Sequence, residues 1–201
     1  ILKTNVKSIG YDHNMKSVDT SSEVKADWIP EGGPLRVRED AVRRFYIHTY
    51  GCQMNVHDSQ KLTRLLEHAG LAGAETPALA DVLVINTCSI RDKAENQLYT
   101  ELGRLREWKA ERPGRVVGVG GCVAQQVGDA LLRRFGHLDF VFGTHNVRWV
   151  PAMALAALQG ERSVRVEETS SLERFDLPAP DADTARALKG RAYVTVMEGC
   201  D

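Results

Sequence analysis

The sequence predicts an α/β domain built on an open, mostly parallel sheet with helices on both faces. Two observations lead to this class. Four short runs of β-branched and aromatic residues are each followed by a segment with the apolar spacing of a helix. These runs are apolar throughout, which is typical of strands that are buried on both sides. Four strand-helix units in succession imply parallel strands joined by right-handed crossovers.

The first unit begins with the strand FYIHTYGC, which ends at Cys52. Asn55 is a predicted N-cap of the following helix, with Asp58 three residues further on. Gly70 is predicted to end this helix. Its apolar face consists of Leu62, Leu65, Leu66 and Ala69.

The second and third units repeat this pattern. The strand VLVINTC ends at Cys88, and its helix continues until Pro113-Gly114 breaks it. The strand VVGVGGC ends at Cys122, and its helix closes near Gly136. The second helix carries Ala94, Leu98, Leu102, Leu105 and Trp108, and the third carries Val127, Ala130, Leu131 and Phe135.

The fourth unit combines the short strand DFVFG at 139–143 with an alanine-rich helix at about 147–159. Pro151 either lies in the first turn of this helix or bends it. A further strand is expected in RSVRVEE. These elements together predict the flavodoxin-like three-layer class.

The chain divides into four regions by composition. Residues 1–42 form a polar N-terminal tail, 43–162 the α/β domain, 163–185 a linker rich in proline and acidic residues, and 186–201 the start of a second domain. The last region holds the strand AYVTVME, which ends in Gly199-Cys200. We interpret the chain as a piece of a longer protein, because it begins at isoleucine and stops just after Cys200.

Charge and hydropathy restrict the classes of partner. With 26 basic and 27 acidic residues, no overall field attracts nucleic acid or a membrane, so any RNA contact must be a local patch. No run approaches the roughly 20 apolar residues of a membrane span, and no signal peptide is recognisable. A cytoplasmic location without membrane contact is therefore expected. Thiols are kept reduced there, which favours ligand or catalytic roles for the four cysteines.

Three of the cysteines follow strands at matching positions. Between Cys52 and Cys88 lie 35 residues, and between Cys88 and Cys122 lie 33, about one strand-helix-strand repeat. If the strand order is 2-1-3-4, the three strands are neighbours at about 4.8 Å spacing, and their tips span roughly 10 Å. An iron-sulfur cluster fits that span.

The kind of metal follows from the ligand set. Structural zinc usually takes four ligands with close C-x2-C pairs, whereas three separate thiolates suit a cluster with one open iron. His48 and His57 keep a zinc site possible. The glycines of GVGGC are expected to let the backbone approach a bulky cluster.

Other interpretations stay open at this point. Asn55, Asn86 and Thr87 are candidate hydrogen-bond donors to cluster sulfur or to a bound ligand, but capping or turn roles would also explain them. The cysteines would be simple buried hydrophobes in a flavodoxin-like module that holds a nucleotide or a partner. A zinc-stabilised interaction module is a further alternative.

Three longer signatures surround the cysteines, namely TYGCQMNVHDSQ at 49–60, INTCSIRDKAENQ at 85–97 and GVGGCVAQQ at 118–126. Together they resemble the N-terminal domain of radical-SAM methylthiotransferases, over about residues 43–160. GRAYVTVMEGCD resembles the start of the radical-SAM core. Gln53-Met54-Asn55 favours the tRNA branch, which makes 2-methylthio-N6-isopentenyladenosine, over the ribosomal-protein branch.

The resemblance implies that Cys52, Cys88 and Cys122 hold an auxiliary 4Fe-4S cluster whose open iron carries the sulfur to be inserted. It also implies that Cys200 is the first ligand of a second 4Fe-4S cluster, in a C-x3-C-x2-C motif. The other two cysteines of that motif are absent from this chain. Beyond the cluster ligands, no catalytic residue is expected here, and this part alone should be inactive.

The resemblance further implies that the full enzyme uses S-adenosyl-L-methionine as methyl donor and as the source of a 5′-deoxyadenosyl radical. The radical abstracts hydrogen from C2 of the isopentenylated adenosine beside the anticodon, where the methylthio group is transferred. The implied partners are tRNA carrying that adenosine and an electron-donor protein. A monomer is expected.

Overall fold

The computed structural model describes residues 42–51, 53–88 and 92–168, with the backbone alone for 92–96. Cys52 and Cys200 lie outside the described residues, as do 1–41 and 169–201, which include most of the expected tail and linker and the start of the second domain. The strands are β1 Arg44–Thr49, β2 Ala72–Gly73, β3 Val82–Thr87, β4 Val116–Gly121, β5 Phe140–Phe142 and β6 Ser163–Arg165. The helices are α1 Gln53–His68, α2 Asp92–Glu111, α3 Cys122–Val127, α4 Asp129–Arg134 and α5 Val150–Leu158, with 3-10 turns at Pro77–Leu79 and Thr144–Trp149.

The six strands form one parallel sheet in the order β2-β1-β3-β4-β5-β6. At its centre, Val84 of β3 pairs with Ile47 of β1 on one side and with Gly118 of β4 on the other. Every residue of β3 and β4 is buried, as their unbroken apolar runs predict. The structure confirms the predicted open α/β sheet.

The assumed strand order was wrong in one respect. It placed the first strand between the second and the third, whereas β3 lies between β1 and β4. After α1 the chain pairs briefly with the outer edge of β1, at Arg44↔Ala72 and Phe45↔Gly73, before it crosses to the other side. A two-residue strand leaves no periodic signal in the sequence. The three cysteine-bearing strands are neighbours nevertheless, with β3 in the middle.

The sheet separates two apolar cores, and the alternation of side chains along β3 shows this directly. Val82 and Val84 pack with leucines of α1 and with α5. Leu83 and Ile85 pack with α2, α3 and α4 on the opposite face. Helices therefore cover both faces, which gives the three layers that the sequence predicts.

Two glycines of β4 serve packing within the sheet. A Cβ added at Gly118 would overlap the ring of Phe140, and one at Gly120 would overlap the ring of Phe142. Both rings are buried on β5, the neighbouring strand. The expectation that these glycines make room for a cluster is therefore corrected, and only Gly121 remains at the edge of the sheet.

Helix boundaries differ from the prediction at two points. Helix α1 begins at Gln53, so Asn55 is a buried residue of its first turn and does not cap it. The third predicted helix is broken at Gly128, whose φ of 56° separates α3 from α4. Pro151 lies in the first turn of α5, which decides between the two predicted alternatives. Among the described residues, no helix combines the length and the apolar composition that crossing a membrane requires.

Candidate metal centre

Two of the three candidate ligands lie side by side at the carboxyl edge of the sheet. Cys88 follows the last residue of β3, and Cys122 follows the last residue of β4 and opens α3. Those last residues, Thr87 and Gly121, are paired in the sheet. Cys88 is 2% exposed, and Cys122 is partly exposed. Ligands of open α/β sheets bind at this edge.

The chain that leads to Cys52 also reaches this edge. A Cβ added at Gly51 would lie 2.6 Å from the Cβ of Cys88 and 2.5 Å from Oδ1 of Asn55. Gly51 has a φ of 136°, a backbone conformation that residues with a Cβ rarely adopt. Only a glycine therefore allows the backbone just before Cys52 to pass against Cys88.

Gly121 allows a second close approach. Its φ is 97°, and a Cβ there would overlap the carbonyl oxygen of Thr87 and lie 2.9 Å from Oδ1 of Asn86. The backbone that enters Cys122 is therefore packed directly on the backbone that enters Cys88. This contact fixes the separation of the two strand ends that carry the thiols.

A buried pair of asparagines ties α1 to the end of β3. Nδ2 of Asn86 donates to the backbone oxygen of Asn55 at 2.8 Å, and Nδ2 of Asn55 donates to Oδ1 of Asn86 at 3.4 Å and to the carbonyl of Thr87 at 3.2 Å. Both side chains are almost fully buried. Asn55 and Asn86 therefore orient the backbone on both sides of the site.

Ser59 and Thr49 complete this network, and neither was predicted from the sequence. Nδ2 of Asn86 also donates to Oγ of Ser59 at 3.0 Å, and Ser59 lies 2.7 Å from Oγ1 of Thr49. The available signal was helical spacing, because Ser59 is four residues after Asn55 and on the same face of α1. The network connects β1, α1 and β3.

Thr87 contributes an unsatisfied donor to the same edge. Its side chain is fully buried, and its Oγ1 has no hydrogen-bond partner among the residues that the structure describes. Buried hydroxyl groups are normally hydrogen-bonded, and an unsatisfied one costs about 1 to 3 kcal/mol. Thr87 directly precedes Cys88 and pairs with Gly121, which directly precedes Cys122, so this residue adjoins both described cysteines.

A polar cluster missed by the sequence analysis lies just before Gly51. The hydroxyl of Tyr50 is 3.3 Å from Nδ1 of His48, whose ring stacks on Tyr50, and Glu101 of α2 lies 3.9 Å from the same nitrogen. Burial, with a smaller effect of Glu101, raises the pKa of Tyr50 to about 12. Burial lowers the pKa of His48, against the opposing effect of Glu101. Tyr50, His48 and Glu101 therefore form one partly buried polar cluster beside the chain that leads to Gly51.

The described residues supply part of a metal site. No three histidine, cysteine, aspartate or glutamate side chains within 42–51, 53–88 and 92–168 are grouped as metal ligands. His48 and His57 thus form no such group with Cys88 and Cys122. The donors at the edge are two thiols and one hydroxyl without a partner among the described residues. This set fits a soft, thiolate-bound metal or an iron-sulfur cluster.

Comparison with known proteins identifies the family of this chain. Residues 44–143 match a family described as uncharacterized protein family UPF0004, a range that contains both asparagines and both described cysteines. A tRNA-2-methylthio-N(6)-dimethylallyladenosine synthase of Geobacter metallireducens is 48% identical over 156 residues, which are 78% of this chain and 34% of that protein. The chain belongs to the methylthiotransferase family.

Other methylthiotransferases agree with this assignment. A synthase of the same name from an Anaeromyxobacter species is 47% identical over 166 residues, 82% of this chain and 35% of that protein. One from Coxiella burnetii is 42% identical over 161 residues, 79% of this chain and 36% of that protein. The chain spans about a third of the length of these synthases. The paired strand ends lie within the family match at residues 44–143.

Proposed function

We propose that this chain is the sulfur-donating part of a tRNA methylthiotransferase, in which Cys52, Cys88 and Cys122 hold an auxiliary 4Fe-4S cluster. One observation carries the proposal: Cys88 and Cys122 follow adjacent parallel strands whose last residues are paired. The curated relatives, which are named as synthases of a methylthiolated adenosine in tRNA, support it. When bound, the cluster would supply the sulfur that is inserted into the nucleoside.

The side chains around the thiols have separate tasks in this proposal. The close backbone contacts of Gly51 and Gly121 hold the ligand-bearing loops together. The Asn55–Asn86 pair keeps the first turn of α1 fixed on β3. The hydroxyl of Thr87 donates a hydrogen bond to thiolate or sulfide, which satisfies its buried Oγ1 and stabilises the negative charge.

The rest of the reaction belongs to the whole protein. We infer that Cys200 is the first ligand of a second 4Fe-4S cluster in a radical-SAM core, which uses S-adenosyl-L-methionine and an electron-donor protein. The substrate is then tRNA with N6-isopentenyladenosine beside the anticodon, modified at C2. The whole protein is proposed to act in the cytoplasm as a monomer.

The proposal is tested by metal analysis of the full-length protein. Anaerobic reconstitution should give about eight iron and eight sulfide per chain, with broad brown absorbance. Replacing Cys52, Cys88 or Cys122 by alanine should lower both counts to about four and abolish methylthiolation. Cys200→Ala is the matched variant, because it should remove the other cluster and leave the auxiliary one.

Three results would overturn the proposal. The first is full iron content after all three cysteines are replaced together. The second is one zinc per chain without visible absorbance, which would favour the zinc-stabilised module. The third is an iron-free protein that copurifies with a phosphate-containing ligand and folds normally without the three thiols, which would favour the nucleotide-binding module.

A further inference from the structure

Two arginines lie against one tryptophan near the carboxyl edge of the sheet. The guanidinium carbon of Arg165 is 4.4 Å from the centroid of the Trp149 ring, and that of Arg148 is 4.9 Å from it. Arg165 is exposed, whereas Arg148 and Trp149 are half-buried. We call these three residues the arginine patch.

The register of the sheet places the arginine patch relative to the cysteines. Arg165 of β6 pairs with Phe142 of β5, which pairs with Gly120 of β4. Arg165 is therefore level with Gly120, two residues before Cys122, and two strands away. At about 4.8 Å per strand, the backbone of Arg165 lies roughly 10 Å from the strand that carries Cys122.

Two side-chain amides hold the end of β6 in this position. Nε2 of Gln125, on the helix that Cys122 opens, donates to the carbonyl of Val166 at 2.5 Å. Nδ2 of the buried Asn146 donates to the carbonyl of Glu167 at 2.9 Å. The backbone just after Arg165 is thus attached to the element that begins with Cys122. The distance between the arginine patch and the candidate metal centre is fixed by the fold.

The charge of the arginine patch favours an anion. Arg148 and Arg165 bring two guanidinium groups to one ring, and two cations in one place attract an anion. Within the described residues, Arg165 forms no ion pair, and its guanidinium group lies against the indole of Trp149. Guanidinium groups match the oxygens of phosphate and stack on aromatic rings. Glu167 and Glu168, both exposed, follow Arg165 on the same segment, and their negative charge partly offsets that of the arginine patch.

A phosphodiester backbone is the anion that fits both the place and the charge. The chain has a formal net charge of −1, so it has no general attraction for nucleic acid, and a contact must come from a local cluster. The patch lies beside the edge from which sulfur would be delivered, and the relatives are named for a tRNA product. A substrate strand that reaches that edge must pass within a few nucleotides of the patch.

We propose that Arg148 and Arg165 bind backbone phosphates of the RNA substrate and position it at the edge that carries Cys88 and Cys122. This inference rests on the proposed function. Trp149 packs against the two guanidinium groups and has no role in sequence recognition in this proposal. Because phosphate contacts do not read sequence, the patch contributes equally to the binding of any RNA that reaches it.

The test measures binding of full-length protein to fluorescently labelled tRNA, by anisotropy, between about 50 and 200 mM salt. Each phosphate contact adds about 0.7 to 0.9 to the slope of log affinity against log salt concentration. The double variant Arg148→Gln, Arg165→Gln should lose roughly 1.4 to 1.8 of this slope and bind roughly 25 to 60 times more weakly at about 0.1 M salt. An unrelated RNA hairpin should lose affinity by the same factor.

Two further variants separate charge from packing. Arg104→Gln, Arg133→Gln also removes two charges, from side chains that are 75% and 69% exposed on the helices of the opposite face, and should leave the slope unchanged. Arg148→Lys, Arg165→Lys keeps the charge and should keep most of the slope. If the glutamine double variant keeps the wild-type slope and the wild-type iron and sulfide contents, the RNA-binding role of the arginine patch is overturned. The proposed function is not affected by that result.

The failure of the proposed function would look different. In that case the wild-type protein would lack the cysteine-dependent iron, while the glutamine double variant would still lower the salt slope. Equal loss of slope in the control double variant would also overturn the patch, because the effect would then come from total charge and not from these two residues.

Discussion

The side chain of Asn86 donates a hydrogen bond to the backbone oxygen of Asn55, and the amide of Asn55 donates back to Oδ1 of Asn86. The two residues are 1% and 3% exposed. A reciprocal pair of buried amides satisfies polar groups that would otherwise be costly, and it does so across two different elements. The end of β3 and the start of α1 are therefore joined by hydrogen bonds directly before Cys88.

Asn86→Ala should lower the free energy of unfolding of the metal-free chain by about 2 to 4 kcal/mol. The reason is that the Asn55 carbonyl and Ser59 lose their donor inside the protein, where water cannot replace it. Urea unfolding followed by circular dichroism measures the change. Gln97→Ala, at an exposed position of α2, is the matched control and should stay within about 0.5 kcal/mol. Equal effects of the two changes would contradict a structural role for the pair.

Gly121→Ala should cost more than about 3 kcal/mol and should reduce iron uptake. A Cβ at Gly121 would overlap the carbonyl oxygen of Thr87, in addition to the strain of a φ of 97°. Gly114 provides the comparison, because its φ is 88° and nothing lies within 4 Å of the position of its Cβ. Gly114→Ala should therefore cost only about 1 to 2 kcal/mol. Chemical denaturation measures both free energies of unfolding. Similar losses in the two variants would show that the contact with Thr87 does not matter for stability.

Thr87→Val should stabilise the metal-free chain by about 1 kcal/mol, because it replaces an unsatisfied buried hydroxyl with a methyl group of similar shape. In the reconstituted full-length protein, the same change should lower the reduction potential of the auxiliary cluster, since a hydrogen bond to sulfur stabilises the reduced state. Thr87→Ser keeps the hydroxyl and should keep the potential.

The potential of Thr87→Val is best measured in a Cys200→Ala background, in which the auxiliary cluster is expected to be the one that remains. Destabilisation of the metal-free chain together with an unchanged potential would show that the hydroxyl has a purely structural partner. A more stable metal-free chain together with a lower potential of the auxiliary cluster would identify Thr87 as a hydrogen-bond donor to a bound group.

The stability of the metal-free chain should fall as the pH is lowered through 6.5. Burial is the main cause that lowers the pKa of His48, His57 and His137 below the ordinary value of 6.5. Below that value the unfolded chain binds protons that the folded chain does not, so the free energy of unfolding decreases until the folded pKa values are passed. Above it, the contribution is fully present.

Urea midpoints at about pH 7.5, 6.5 and 5.5 test this dependence in a range where carboxyl groups titrate little. Replacing the three histidines by glutamine should flatten the curve. Gln97→Ala, which removes no titratable group from an exposed position of α2, serves as the control and should leave the slope unchanged. A stability that rises toward pH 5.5 in the unmodified chain would contradict the direction of all three shifts.

Much of the fold follows from local patterns. The apolar run of β3 predicts a strand buried on both faces, and all six of its residues are buried. The spacing of Leu98, Leu102 and Leu105 predicts one face of α2, and all three lie in the core on that side of the sheet. These features can be predicted because each depends on residues within a few positions of one another, at the period of a helix or a strand.

Several features depend on contacts between distant residues and were missed or misassigned. Asn55 has the composition of an N-cap, but its partners are 31 and 32 residues away, and burial against them decides its role. The glycines of β4 suggest room for a ligand, but Phe140 and Phe142 on the next strand fill that space. In both cases a tertiary contact overrides a local preference.

The sequence by itself determined the repeated strand-helix units, the burial of the central strands and the placement of a cysteine after each of three strands, because all of these are encoded at short range. Only the tertiary structure decided that β3 lies between β1 and β4, that Asn55 meets Asn86, and that Arg148 and Arg165 share one indole. The physical reason is that strand order and side-chain partners depend on where each crossover returns to the sheet. That choice is made by the packing of the whole domain.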